Sequence, residues 1–267
     1  ALIDEGLPTE RALWPAKHSV EDLKAMRDQR NDRGEASPLA GETFAGQYQQ
    51  TPTPAGGGII KNAWWRRYSD RSQVEALCTF FLITADTAYT SSTANDPSAI
   101  QLWGCQGKKR MYLLDEAHGW WEFPELVKQI SAFWARNPKA KRLYIENKAS
   151  GPSLGQTLRK SVPASSGKVV LWKPKDYLYP EDKVGRMKEW ARQVHAGLVW
   201  VPSDDPEDAS YQPWVIPFVE EHDAFTADDT HAHDDRCDAA TMANSVWVSM
   251  GGGIQRPQYN AGQEPHI

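Results

Sequence analysis

FFLITAD (80–86) is an apolar run that stops on an acid, and RLYIE (142–146) repeats the arrangement further along the chain. Both are short and rich in β-branched and aromatic residues, the signature of buried strands. HDDRCDAATMANSVWVSM (233–250) reads differently, as a helix from about Asp235 to Ser249 with acids in its first turn. Carboxylates at two strand ends and one helix start can converge although they are far apart in sequence. Convergent carboxylates stay ionised together only when a cation sits among them. The hard, oxygen-preferring choice is Mg²⁺ or Mn²⁺. Asp86, Glu146, Asp235 and Asp238 therefore form a candidate metal-dependent phosphoryl-transfer site. Asp235 and Asp238 share a helix face at i,i+3, and Asp234 with Asp238 at i,i+4; the sequence does not choose between them. The plainer reading of any one of these acids is a turn former or a helix cap. The repetition of the pattern is what lifts the set above it.

Around these runs the chain predicts an alternating order. VEALCTFFLITAD (74–86) is a strand, and SAIQLWGCQGKKRMYLLDEAH (98–118) is a hairpin turning near GKK. FPELVKQISAFWARN (123–137) is a helix with Leu126, Val127, Ile130, Phe133 and Trp134 on one face. Further helices are expected at 151–161 and 182–197, strands at 168–174 and 198–202, and a helix with a broken start within 211–225. The order implies an α/β fold, a mixed central sheet with helices on both faces. Such a sheet carries its site beyond the carboxyl ends of its strands, where Asp86 and Glu146 fall.

Residues 1–58 read as an arm and linker, with one helix in SVEDLKAMRDQR (19–30) capped by Ser19, and with the turn-rich TPTPAGGGII (51–60) before the body. The body is expected over 59–250, followed by a flexible tail, 251–267. The 267 residues are 40% hydrophobic and 24% charged, ordinary for a globular protein. Three cysteines without a CxxC pair argue for a reducing compartment, and no run is long enough to span a bilayer. His222, His231, His233 and Cys237 match no tight zinc spacing. The twelve tryptophans, including the pairs Trp64–Trp65 and Trp120–Trp121, are expected in the core or as groove walls.

The net charge of −5 does not by itself suggest a nucleic-acid partner, but its distribution does. Residues 139–192 hold 13 Lys or Arg against 5 Asp or Glu, whereas 193–267 hold 2 against 13. A basic middle can grip phosphates while the acidic end concentrates metal ligands. Lys148, Lys183, Arg186, Lys108, Lys109 and Arg110 are the candidate phosphate contacts; each is otherwise an ordinary solvated cation. No recognition helix, finger spacing or aromatic ladder is evident, so binding should be salt-sensitive and weakly sequence-specific.

The chain resembles the nuclease portion of the large terminase subunit of tailed double-stranded DNA bacteriophages. FAGQYQQTPTPAGGGIIK (44–61), the strand ending at Asp86, YLLDEAHGWWEFPELVKQI (112–130), IENKASG (145–151), PEDKVGRMKEWARQVHAGLVWVP (180–202) and HDDRCDA (233–239) carry the resemblance, through their order and spacing together. It implies a ribonuclease H-like fold and cleavage of concatemeric viral DNA during head filling, in the host cytoplasm. Asp86, Glu146 and Asp238 match the family's three core acids, and Asp235 a position that helps hold a metal. A further family acid has only Asp96, at a looser spacing, to match it. The implied chemistry is hydrolysis with two Mg²⁺ or Mn²⁺ ions roughly 4 Å apart, bridged by Asp86. Glu146 would hold the second ion, and Asp235 and Asp238 would complete the first. No GxxxxGK[ST] loop is present, so the chain looks like a fragment separated from its ATPase domain. Expected partners are DNA, that ATPase domain, the small terminase subunit and the portal protein, with no membrane. Two other readings stay open: another ribonuclease H-like nuclease, such as a junction resolvase or transposase core, and a non-catalytic DNA-binding module.

Overall fold

The computed structural model describes residues 58–87, 97–148, 151–227 and 233–255. The chain divides into two compact units, Ala1–Gly58 and Ile59–Ile267, and all described elements belong to the second. The expected helix at 19–30, Asp96 and His231 lie outside the described residues. Among the described residues no helix is long and apolar enough to cross a membrane.

Seven strands form one sheet: β1 (Arg66–Tyr68), β2 (Phe80–Asp86), β3 (Ser98–Gln106), β4 (Arg110–Gly119), β5 (Arg142–Glu146), β6 (Lys168–Trp172) and β7 (Val199–Pro202). Their spatial order is β1-β7-β4-β3-β2-β5-β6. β3 pairs antiparallel with β2 and β4, and every other pairing is parallel. Six strands therefore end on the same edge of the sheet, and β3 alone starts there. Among the described residues six α-helices accompany it: α1 (Arg71–Leu77), α2 (Phe123–Arg136), α3 (Gly151–Ser161), α4 (Lys183–His195), α5 (Val215–Ala224) and α6 (Asp235–Ser249).

The pleat sorts the core into two layers. Ile83, Ala85, Leu143 and Ile145 point into one with Leu126, Ile130 and Phe133 of α2 and Leu154 and Leu158 of α3. Leu82, Tyr144 and Trp172 point into the other with Met187 and Trp190 of α4, Phe218 of α5 and Cys237, Ala240, Ala243 and Trp247 of α6. Strands buried on both faces explain the continuous apolar runs of the sequence. α6 is buried nearly all round. Its small residues let it lie close to the sheet, and its polar ones are bonded: Trp172 Nε1 donates to Ser245 Oγ at 2.8 Å and Asn244 Nδ2 donates to the Tyr179 hydroxyl.

Three expectations change. Residues 74–77, read as the beginning of the β2 strand, instead end α1, because Asp70 caps that helix by accepting from the Gln73 amide at 3.1 Å. β1 was not anticipated; at three residues it is too short to display a period. Residues 251–255, expected to open a flexible tail, are packed: Gly253 N–H donates to Lys108 O, and Gln193 Nε2 to Ile254 O, each at 3.0 Å.

Candidate active site

β2 and β5 are parallel neighbours with Ala85 opposite Ile145, so Asp86 and Glu146 are the next pair in register. Alternation turns both away from the α2–α3 layer and toward the face covered by α4 and α6. The first turn of α6 brings Asp235 and Asp238 to the same edge. Asp86 registers the convergence. Its pKa is raised well above the usual carboxylate range, first by burial and then by repulsion from Asp238, Glu146 and Asp235.

The surrounding acids are held by cations of the chain itself. Arg186 Nη2 donates to Asp238 Oδ1 at 2.8 Å, with the Arg186 side chain only 1% exposed. Lys183 pairs with Asp234 and stands 3.2 Å from Asp238 Oδ2. Burial works against the charge of both cations, but the surrounding acids together outweigh it and raise their pKa values: Asp238 and Asp234 for Lys183, and Asp238, Glu146 and Asp86 for Arg186. Lys148 Nζ stands 2.8 Å from Glu146 Oε1. That oxygen is itself buried and has no properly angled hydrogen bond, so the lysine balances its charge without satisfying it. Hard oxygen donors, an orphaned carboxylate oxygen and an unrelieved repulsion on Asp86 all fit a divalent cation. As they stand, no three His, Cys, Asp or Glu among the described residues are arranged to hold an ion; Asp238 and Glu146 are engaged by lysine and arginine.

The phosphate contacts foreseen from the sequence are redistributed. Arg186 is buried against Asp238, its side chain only 1% exposed. Lys183 and Lys148 lie at the acidic edge, each ion-paired and partly exposed. Lys108, Lys109 and Arg110 occupy the β3–β4 turn, next to the start of β2 (Phe80 is opposite Cys105) and about 20 Å from Asp86 along the strand. They are exposed, but on the wrong edge for the candidate site. The basic middle of the sequence is thus split between the two edges, Lys139, Lys141, Arg142 and Lys168 lying at strand starts.

Sequence reading missed the group that fixes the α6 start. Asp234 stands at the N-cap position but makes no side-chain cap hydrogen bond. Glu221 of α5 does that work: its Oε1 accepts from the amides of Arg236 at 2.7 Å and Cys237 at 3.2 Å. Its Oε2 accepts from Arg236 Nη1 at 3.0 Å, and Glu116 of β4 accepts from Arg236 Nε at 2.7 Å. Gln101 of β3 donates to Arg236 O at 3.0 Å. Burial pushes Glu116 up to about 7 against the pull of Arg236. Arg236, between the two acids of the helix start, is therefore clamped from three elements, which sets the roll of α6 and the aim of Asp235 and Asp238. An arginine inside HDDRCDA was the visible signal; its partners are 15 and 120 residues away in sequence.

Solved structures similar to this chain include three terminase nuclease domains. The human cytomegalovirus terminase nuclease domain is 16% identical, covering 67% of this chain and 89% of that one, with a TM-score of 0.49. The nuclease domain of the large terminase subunit gp2 of bacterial virus Sf6 is 10% identical over 72% and 98%, TM-score 0.46. The large terminase nuclease domain of bacteriophage SPP1 with bound Mn is 17% identical over 70% and 91%, TM-score 0.41. No curated protein matches the chain. The model of the terminase RNaseH-like domain matches residues 83–245, which run from the middle of β2 through both acidic strand ends and most of α6. With that span shared, the mixed sheet is of the ribonuclease H type and the chain belongs to the terminase RNaseH-like domain family.

Proposed function

We propose that this chain is a metal-dependent endonuclease that cuts concatemeric viral double-stranded DNA during genome packaging. The observation that carries the reading is the convergence of Asp86, Glu146, Asp235 and Asp238 at one sheet edge, where burial and then repulsion from the other three acids raise the Asp86 pKa, a cost that added positive charge would relieve. Asp86 and Glu146 would supply carboxylate oxygens from the sheet, and Asp235 and Asp238 from α6; Asp234 lies beside them on Lys183. Bound Mg²⁺ or Mn²⁺, two ions in this reading, would polarise the scissile phosphate and lower the pKa of the attacking water. Arg186 holds Asp238 in place from beneath. Lys183, paired with Asp234 and Asp238 here, would be placed to meet a phosphate if those acids held a cation. The Arg236 clamp keeps the α6 carboxylates aimed.

The family membership supports a nuclease role in packaging. The wider assignment places residues 1–58 as the linker after an ATPase domain of the same polypeptide, residues 59–250 as the nuclease, and the small terminase subunit and portal protein as partners in the host cytoplasm. The test is incubation of supercoiled plasmid with Mn²⁺, Mg²⁺, Ca²⁺ or EDTA. Nicking and linearisation with the first two, none with EDTA, and loss of cleavage by orders of magnitude in Asp86→Asn are expected. Cleavage in EDTA, or undiminished cleavage by Asp86→Asn at saturating Mn²⁺, overturns the assignment.

A further inference from the structure

The edge that carries Asp86 continues sideways into β4. Asp86 is opposite Ala99, and Ala99 is opposite His118. The three share one face, with Asp86 and His118 about 10 Å apart, two strand spacings. The chain then turns at Gly119. A Cβ there would stand 2.9 Å from the Trp121 ring; glycine lets Trp121 fold back onto the α2 side of the core. Trp120 is left 62% exposed. It is nevertheless held, edge-on to His118 at 5.8 Å and to His233 at 6.3 Å between ring centroids. His233 immediately precedes Asp234 and Asp235. His118 Nε2 is buried and has no hydrogen-bond partner. The opposite flank of the carboxylates carries Lys148 and Lys183. One side of the site is thus cationic, and the other ends in a rigid, exposed aromatic ring.

An indole fixed in place and open to solvent is a stacking platform that accepts any base, because every base has a π-face. The nucleotide rise along one strand is about 3.4 Å. His118 is about 10 Å from Asp86 and the Trp120 ring centroid a further 5.8 Å from the His118 ring, so the ring meets DNA roughly three to five nucleotides from a phosphate seated at the carboxylates. Bases inside an intact duplex present edges, not faces, so stacking there requires local opening.

Resting on the nuclease reading above, we infer that Trp120 is a DNA-contacting residue that stacks on a base unstacked within about five nucleotides of the cut phosphate, so that the site engages a locally opened duplex. The experiment uses the whole chain with Ca²⁺ and hairpin-capped duplexes carrying 2-aminopurine at successive positions. Wild type should raise 2-aminopurine fluorescence at one or two positions. Trp120→Ala should abolish the rise and weaken duplex binding about tenfold or more, as expected for one stacked base, while Trp120→Phe keeps most of both. On a substrate with a preformed bubble, where the opening cost is already met, the Trp120→Ala defect should persist or grow. Mn²⁺ affinity without DNA, read by calorimetry, should not change. Trp120→Ala with binding within twofold of wild type and an unchanged fluorescence rise overturns the inference. So does a loss of Mn²⁺ affinity, which would mean the ring acts through His233 on the carboxylates. If wild type itself fails to cut plasmid with Mn²⁺, the nuclease reading falls and this inference with it; if wild type cuts and Trp120→Ala behaves identically, the inference alone falls.

Discussion

Arg186→Met tests whether Arg186 serves Asp238 or DNA. The pair is 2.8 Å long, with side-chain exposures of 1% and 11%. Arg186 also donates to Glu181 O at 2.9 Å. Removing one partner of a buried pair costs about 3–5 kcal/mol, because the other charge stays desolvated. Here Lys183 remains 3.2 Å from Asp238 and is 43% exposed, so part of the charge stays compensated. The discounted expectation for Arg186→Met is a loss of about 2–3 kcal/mol. Asp238→Asn leaves Arg186 beside Glu146 and Asp86, which also favour its charge, and should cost less, about 1–2 kcal/mol. The double variant should be more stable than the sum of the two losses implies, by at least about 1 kcal/mol. Urea unfolding in EDTA measures all three through the midpoint at constant slope. A change within about 0.5 kcal/mol for Arg186→Met, or strict additivity, refutes the pair as a structural element. In the same preparations the salt dependence of duplex binding should be unaltered; a drop of about 0.9 in the log–log slope would return Arg186 to the DNA.

Gly151→Ala should be severe, since the added Cβ would stand 1.9 Å from the backbone oxygen of Glu146; a loss of about 2–3 kcal/mol and weakened Mn²⁺ binding are expected, and a neutral melt would contradict the close approach. Glu221→Ala uncaps α6 and leaves Arg236 half-paired, so it should destabilise by about 2–4 kcal/mol, with Glu221→Gln recovering the cap and thus part of the loss in the same urea assay. His222 is buried and its pKa is lowered to about 3 from 6.5, chiefly by desolvation. The unfolded chain therefore binds the extra proton, and stability is lost as pH falls from 6.5 toward 3, about 5 kcal/mol in full. A His222→Gln variant should lose that slope whatever happens to its neutral-pH stability, and an unchanged slope would acquit the histidine. Lys108→Glu with Lys109→Glu should leave plasmid cleavage within about twofold, because the turn lies at the far edge; a large loss would show that DNA wraps around the sheet.

The placement of the acids was legible because parallel strands buried on both faces write themselves as apolar runs, and Asp86 and Glu146 are where those runs stop. Asp235 and Asp238 were legible from the change of period. The burial of Arg186 was not anticipated although a signal existed: it stands four residues before Trp190 and eight before Val194, on the buried stripe of α4. A cation on such a stripe needs an acid, and that acid could have been sought in HDDRCDA. The far-edge position of Lys108 and Lys109 was also implicit, since a hairpin that begins beside Asp86 must turn at the other end of the sheet. The Glu116–Arg236–Glu221 clamp was not readable. It depends on which elements become neighbours, and neither glutamate sits in a pattern that distinguishes it from a surface acid.

Asp86 lies on β2 and its partners Asp235 and Asp238 on α6, separated by roughly 150 residues of chain. At synthesis rates of about 5–20 residues per second, some 8 to 30 s pass between the emergence of the first carboxylate and the last. The clamp that aims the helix needs Glu221 and Arg236, which also arrive late. A partly made chain can pair β2 with β3 and β5, yet it holds only the Asp86–Glu146 half of the site. On the nuclease reading proposed above, premature cutting would endanger the cell still translating the chain. The topology then builds in a delay, since the carboxylate set is complete only once the strand that starts it and the helix that finishes it have both been made.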